Sequence, residues 1–83
     1  MAVPEFSVWR VLSRPDCSLC ETLLTELWEL LGERAAAVQV QDISGDPELE
    51  RRYGHRIPVL LIDGEFICAY RLDLQRLQAH LAD

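Results

Sequence analysis

Long apolar runs are missing from this 83-residue chain: no stretch approaches the roughly 20 consecutive apolar residues a membrane span requires. Its first residues, Met1-Ala-Val-Pro-Glu-Phe, carry neither a basic region nor an apolar run of signal-peptide length. These two absences predict a cytoplasmic protein with no membrane partner, in a compartment where thiols are mostly kept reduced. Basic side chains are also scarce, 8 Lys and Arg against 14 Asp and Glu, for a formal net charge of −6. Nucleic acid is thereby excluded as the main partner, because a phosphate-binding face needs clustered cations. Cysteine is limited to three residues, an odd number unsuited to a secreted disulfide framework. No repeat, linker or low-complexity segment interrupts the chain.

What is present suits a small globular domain. An apolar content of 49% supports one hydrophobic core, and 27% charged residues is ordinary for a folded chain. The reading is therefore a single domain over residues 1–83, with nothing that demands more than a monomer.

Two of the cysteines stand three apart in Arg14-Pro15-Asp16-Cys17-Ser18-Leu19-Cys20, between an apolar β-prone run, Phe6 to Leu12, and a leucine-rich segment. Pro15 keeps Arg14 out of helical geometry, so the helix should begin at about Cys17 or Ser18. Ser18 with Glu21 would make a capping box, and Asp16 is an equal alternative as cap. Leu19, Leu23, Leu24, Leu27, Leu30 and Leu31 share one helical face, and Gly32 is a stop signal. Cys20 projects near the centre of that face and Cys17 near its edge, which predicts an inner, shielded thiol and an outer, accessible one. Trp28 flanks the same face and is expected at the core's edge.

A thiol at a strand-to-helix junction faces free N–H groups and the positive end of the helix dipole, both of which favour the thiolate. Asp16 opposes that effect, with Arg14 or Arg56 available to offset it. The pattern points to thiol–disulfide exchange. The competing reading, half of a zinc site completed by Cys68, His55 or His80, lacks the second paired motif such sites carry. Cys68 itself, among Phe66, Ile67 and Ala69, reads as a buried spectator.

Downstream, Ala35 to Gln41 reads as a strand whose end alternates Val38 and Val40 with Gln39 and Gln41, followed by a turn from Asp42 to Gly45. Asp46-Pro47-Glu48 opens a short helix with a cap, a first-turn proline and an acid at the positive end, and Gly54 ends it. Val59-Leu60-Leu61-Ile62 is a strand, Asp63-Gly64 a two-residue type I′ turn, and Glu65 to Tyr70 the returning strand. Asp73 caps a last helix with Leu74, Leu77 and Leu81 on one face. The order is β-α-β-α-β-β-α, an α/β fold with a four-stranded mixed sheet flanked by helices, its first two strands parallel.

That order, with Cys17-Ser18-Leu19-Cys20 opening the first helix, Ile57-Pro58 before the third strand and the Asp63-Gly64 hairpin, resembles the thioredoxin fold and, more narrowly, the small glutaredoxin-like proteins. The resemblance spans Phe6 to Leu81. It implies a thiol–disulfide oxidoreductase in which Cys17 attacks and Cys20 resolves, Pro58 is cis, and Arg14 and the Ile57 backbone meet an extended substrate. No cofactor or metal is implied. The expected partners are a disulfide-containing protein or small molecule and a reductant: a thioredoxin-type reductase, another dithiol, or glutathione. The chain also departs from that pattern. Ser18 and Leu19 replace the proline and aromatic that many glutaredoxins hold between their cysteines. Cys68 and Ala69 stand where a glycine pair would be, and Arg71 and Leu72 where acids would bind glutathione's ammonium group. A cation at that place argues against specific glutathione binding. The rival reading from another class is a non-catalytic module that uses the Ile57-Pro58 face to hold an extended peptide.

Overall fold

The structure is a computed structural model that describes residues 7–82; Phe6, where the expected first strand begins, and the rest of 1–6 lie outside the described residues. The elements are β1 (Trp9–Ser13), α1 (Ser18–Leu31), a 3-10 helix (Gly32–Ala37), β2 (Gln39–Asp42), α2 (Pro47–Tyr53), β3 (Val59–Ile62), β4 (Glu65–Ala69) and α3 (Leu74–Ala82). One sheet runs β2-β1-β3-β4, with β1 and β2 parallel and the other pairs antiparallel. This is the mixed sheet and order of the thioredoxin fold.

The two central strands are the most buried ones. All four residues of β3 are buried, and β1 is buried except for the partly exposed Arg10. Such continuous runs belong to strands covered on both faces. On one face Trp9, Val11, Leu60 and Ile62 pack with Leu23 and Leu27 of α1 and Leu77 of α3. On the other, Leu12, Val59 and Leu61 pack with Ile43, and Leu49 and Tyr53 of α2 lie against them. A fully buried side chain of this size contributes about 1.5–3 kcal/mol relative to leaving it in water.

A register shift in β4 explains an otherwise odd burial pattern. Cys68 faces Leu60 and Phe66 faces Leu61, which leaves Ile67 as an extra residue between them. Neighbours in a regular strand point to opposite faces. The bulge lets Ile67 and Cys68 enter the same core cluster.

Local rules held where turn chemistry was strong. Asp63 and Gly64 have φ of 51° and 83°, as a type I′ turn requires. Asp63 does more than turn the chain: its Oδ1 accepts from the Val8 N–H at 2.8 Å, and its own N–H donates to the Val8 carbonyl at 2.8 Å. Asp46 caps α2 by accepting from the Leu49 N–H, and Asp73 caps α3 by accepting from the Arg76 N–H.

Four expectations need correction. The strand expected from Ala35 starts only at Gln39, because Gly32, at φ 58°, turns the end of α1 into a 3-10 helix through the alanines. Val40 is 54% exposed despite its alternation, since β2 is an edge strand with little packed over it. Ile43, expected in a turn, is fully buried and its N–H donates to the Ser13 carbonyl. Leu19 and Leu74 are 44% and 49% exposed, outside the core that their helical spacing suggested, and Trp28, expected at the core's edge, is 60% exposed.

Candidate active site

The C-terminal end of β1, the N-terminal end of β3 and the C-terminal end of β4 meet at one end of the sheet. Leu12 lies opposite Val59, and Val59 opposite Ala69, so Arg14–Cys17, Ile57-Pro58 and Tyr70 leave neighbouring strands together. The N-terminus of α1 sits at this same end.

Cys17 is itself the cap of α1. Its backbone is extended (φ −102°, ψ 106°), and its Sγ accepts the Cys20 N–H at 3.3 Å. The sulfur therefore takes the place expected for the Ser18 or Asp16 oxygen. Asp16, with φ 58°, occupies the left-handed region that Asp tolerates better than most residues and swings the chain into the helix. The half-exposed sulfur thereby occupies one of the first-turn N–H groups that no carbonyl of the helix can reach.

Cys20 lies behind it, 3% exposed. Burial first, and then the hydrogen bond with the Cys17 sulfur, push the Cys20 thiol up to about 11. One thiol is accessible and the other is shielded and held protonated. The inner and outer positions are those that the helical period predicts.

That protonation has a measurable consequence for the reduced protein. A thiol whose folded value is raised binds its proton more tightly when folded. Its contribution is complete below about pH 9 and is lost as pH rises through about 11. Urea unfolding of the dithiol form should show stability falling by about 2 kcal/mol across that window. The Cys20→Ala variant should show a flatter profile, leaving the smaller contribution of Cys68, which burial also raises. An unchanged slope in the variant would rule Cys20 out as its source.

The Ile57-Pro58 peptide is cis, with Pro58 buried and Ile57 half-buried against the second core cluster. The Pro58 carbonyl accepts from the Tyr70 N–H at 2.9 Å, and the Tyr70 hydroxyl donates to the His55 carbonyl at 2.8 Å. Tyr70 thus straps the loop that carries the cis proline. The sequence offered no sign of this, since a tyrosine at a strand end usually reads as packing.

Arg14 is turned toward α2. Its Nε donates to Glu50 Oε1 at 3.0 Å and its Nη2 to Oε2. The Glu50 hydrogen bond raises the Arg14 pKa, and the charges of Cys17 and Asp42 add to it through space. Arg56, the other cation expected to offset Asp16, instead lies 4.9 Å above the Phe66 ring. Neither Glu50 nor the seat at Gly54, where a Cβ would stand 3.0 Å from Arg14 Nη2, has any sequence signal, because the contacts span long chain separations.

The remaining candidates lie apart. Cys68 is buried, His55 is exposed, and His80 Nδ1 lies 3.3 Å from Glu65 Oε2. Among the described residues, no three His, Cys, Asp or Glu side chains gather as a metal site would need. At the two positions where the resemblance would put acids, Arg71 is exposed and Leu72 packs partly buried against the core, while neighbouring Asp73 is engaged in capping α3. An open depression of about 410 Å³, lined by Val8, Arg10, Leu61, Asp63 and Gly64, lies at the opposite end of the sheet.

Comparison with known proteins agrees with this geometry. A protein from Nitrosomonas europaea, solved by NMR, superposes with a TM-score of 0.81 at 29% identity, covering 96% of both chains. A crystal structure from X. campestris gives 0.71 at 33% identity, covering 90% of this chain and 96% of that one. An uncharacterized protein of Mycobacterium tuberculosis is 31% identical over 77 residues, 87% of this chain and 79% of its own length. The model of the glutaredoxin-like domain (DUF836) matches residues 10–82. With that model matched over residues 10–82 and two solved structures sharing the fold, the chain belongs to the glutaredoxin-like domain (DUF836) family.

Proposed function

We propose that the protein is a thiol–disulfide oxidoreductase with Cys17 as nucleophile and Cys20 as resolving thiol. The observation that carries this reading is the pairing of a half-exposed sulfur, capped by a backbone N–H, with a second thiol shielded just behind it. The Cys17 thiolate attacks a substrate disulfide, forms a mixed disulfide and releases one substrate thiolate. Cys20 then gives up its proton to solvent and attacks the Cys17 sulfur, releasing the second substrate thiolate. The product is a Cys17–Cys20 disulfide, which a dithiol reductant returns to two thiols with two electrons and two protons. The reduction is suited to a reducing compartment such as the cytoplasm, with a thioredoxin-type reductase or another dithiol as donor.

In this scheme the substrate is a disulfide-bearing protein or small molecule that lies extended across Ile57 and Pro58, with Arg14 at the edge of the site. Specific glutathione binding is disfavoured by the exposed Arg71 and by the capping role of Asp73.

Mass spectrometry during cycling with a dithiol and a disulfide substrate provides the test. Loss and return of two mass units, localised to the peptide holding Cys17 and Cys20, is the expected result. A pair that stays reduced throughout would favour a module that only holds a peptide on its Ile57-Pro58 face.

A further inference from the structure

Glu50 stands outside the exchange machinery described so far, yet it is the residue that holds the cation nearest to it in the chain. The guanidinium of Arg14 meets the Glu50 carboxylate edge to edge through Nε and Nη2. Such paired, charge-assisted bonds fix direction as well as distance. The side chains are 36% and 37% exposed, so both are drawn partly into the junction between the site loop and α2. Gly54 completes the seat: a side chain there would begin 3.0 Å from Arg14 Nη2 and 2.4 Å from the Glu50 carbonyl.

Resting on the exchange reading, we infer that Glu50 is a positioning residue that sets the redox balance of the Cys17–Cys20 pair by holding and neutralising Arg14. A cation beside a thiolate stabilises the reduced form and makes the disulfide more oxidising, as with any dithiol whose reduced state is favoured. Glu50 keeps that influence small in two ways. Its carboxylate cancels much of the guanidinium charge, and its two acceptors hold the fork against α2. Cys17 still acts on Arg14 through space, so the two remain coupled. Arg56 cannot take over this role while it lies over Phe66.

The test equilibrates wild type, Glu50→Gln, Arg14→Gln and the double variant with dithiothreitol buffers of graded oxidation, and reads the dithiol fraction by mass spectrometry. Glutamine keeps the side chain's size and one acceptor while removing the charge. Glu50→Gln should shift the equilibrium about fivefold toward the dithiol, about 20 mV at 29.6 mV per tenfold. In the Arg14→Gln background, the Glu50 exchange should shift nothing further. No shift, an opposite shift, or the same shift without Arg14 would overturn the inference, even if thermal stability falls. A wild-type pair that forms no disulfide in any buffer would overturn the exchange reading and this inference with it. Normal titration that ignores Glu50 would overturn this inference alone.

Discussion

Replacing Cys17 with serine is expected to reduce disulfide exchange to the uncatalysed rate while leaving folding stability within about 0.5 kcal/mol of wild type. The two effects separate because the proposed exchange gives Cys17 two jobs. As a nucleophile it has no substitute, since a serine hydroxyl is not ionised at neutral pH and cannot form the mixed disulfide. As a helix cap it is easily replaced, because serine is among the preferred cap residues and its oxygen can accept the Cys20 N–H that the sulfur now accepts. Cys20→Ser should behave differently. Its first step is intact and its second is missing, so a mixed disulfide on Cys17 should accumulate and appear as the added mass of one substrate thiol. Residual exchange in Cys17→Ser would place the nucleophile elsewhere, and Cys68 is the remaining thiol outside the pair. That outcome conflicts with the burial of Cys68 in the core.

Leu60→Ala should cost about 3 kcal/mol, within the 2–5 kcal/mol range for deleting a buried leucine, with Val40→Ala as its control. Leu60 is fully buried in a central strand, opposite Val11 on one side and Cys68 on the other. Its removal leaves a cavity that rigid neighbouring strands cannot close. For a domain of this size the loss corresponds to a fall in Tm of about 12–24 °C, at about 4–8 °C per kcal/mol. Against a typical total of about 5–15 kcal/mol, that brings the fold near its limit. Val40→Ala, at an exposed position on the edge strand, should stay within about 0.5 kcal/mol. Parallel urea and thermal melts check both. Equal losses at the two sites would mean that β2 is covered in solution by something beyond the described residues.

The elements most legible in the chain were those set by local chemistry. Asp63-Gly64 supplies the positive φ values of its turn, Asp46-Pro47 and Asp73 supply caps, and each works through atoms only a few residues away. The inner and outer cysteines were legible for the same reason, since three helical residues turn a side chain by most of a revolution. Periodicity failed at Val40, Leu19 and Leu74, all exposed. A period says which side chains share a face, but whether another element covers that face is a matter of neighbours. The 3-10 helix was hidden because an alanine run is compatible with several backbone forms. Cys17 as its own helix cap was hidden by statistics, which rank oxygen side chains first for that task.

The amino-acid order alone determined the succession of strands and helices, the turn and cap positions, and which thiol faces outward, because backbone sterics and helical period act between near neighbours. Tertiary structure decided which strands lie at the edge, that the ends of β1, β3 and β4 gather around Cys17, that Tyr70 reaches His55, and that Glu50 holds Arg14. Those relations join residues far apart in the chain, and only the packing of sheet and helices into one core brings their side chains within hydrogen-bonding distance.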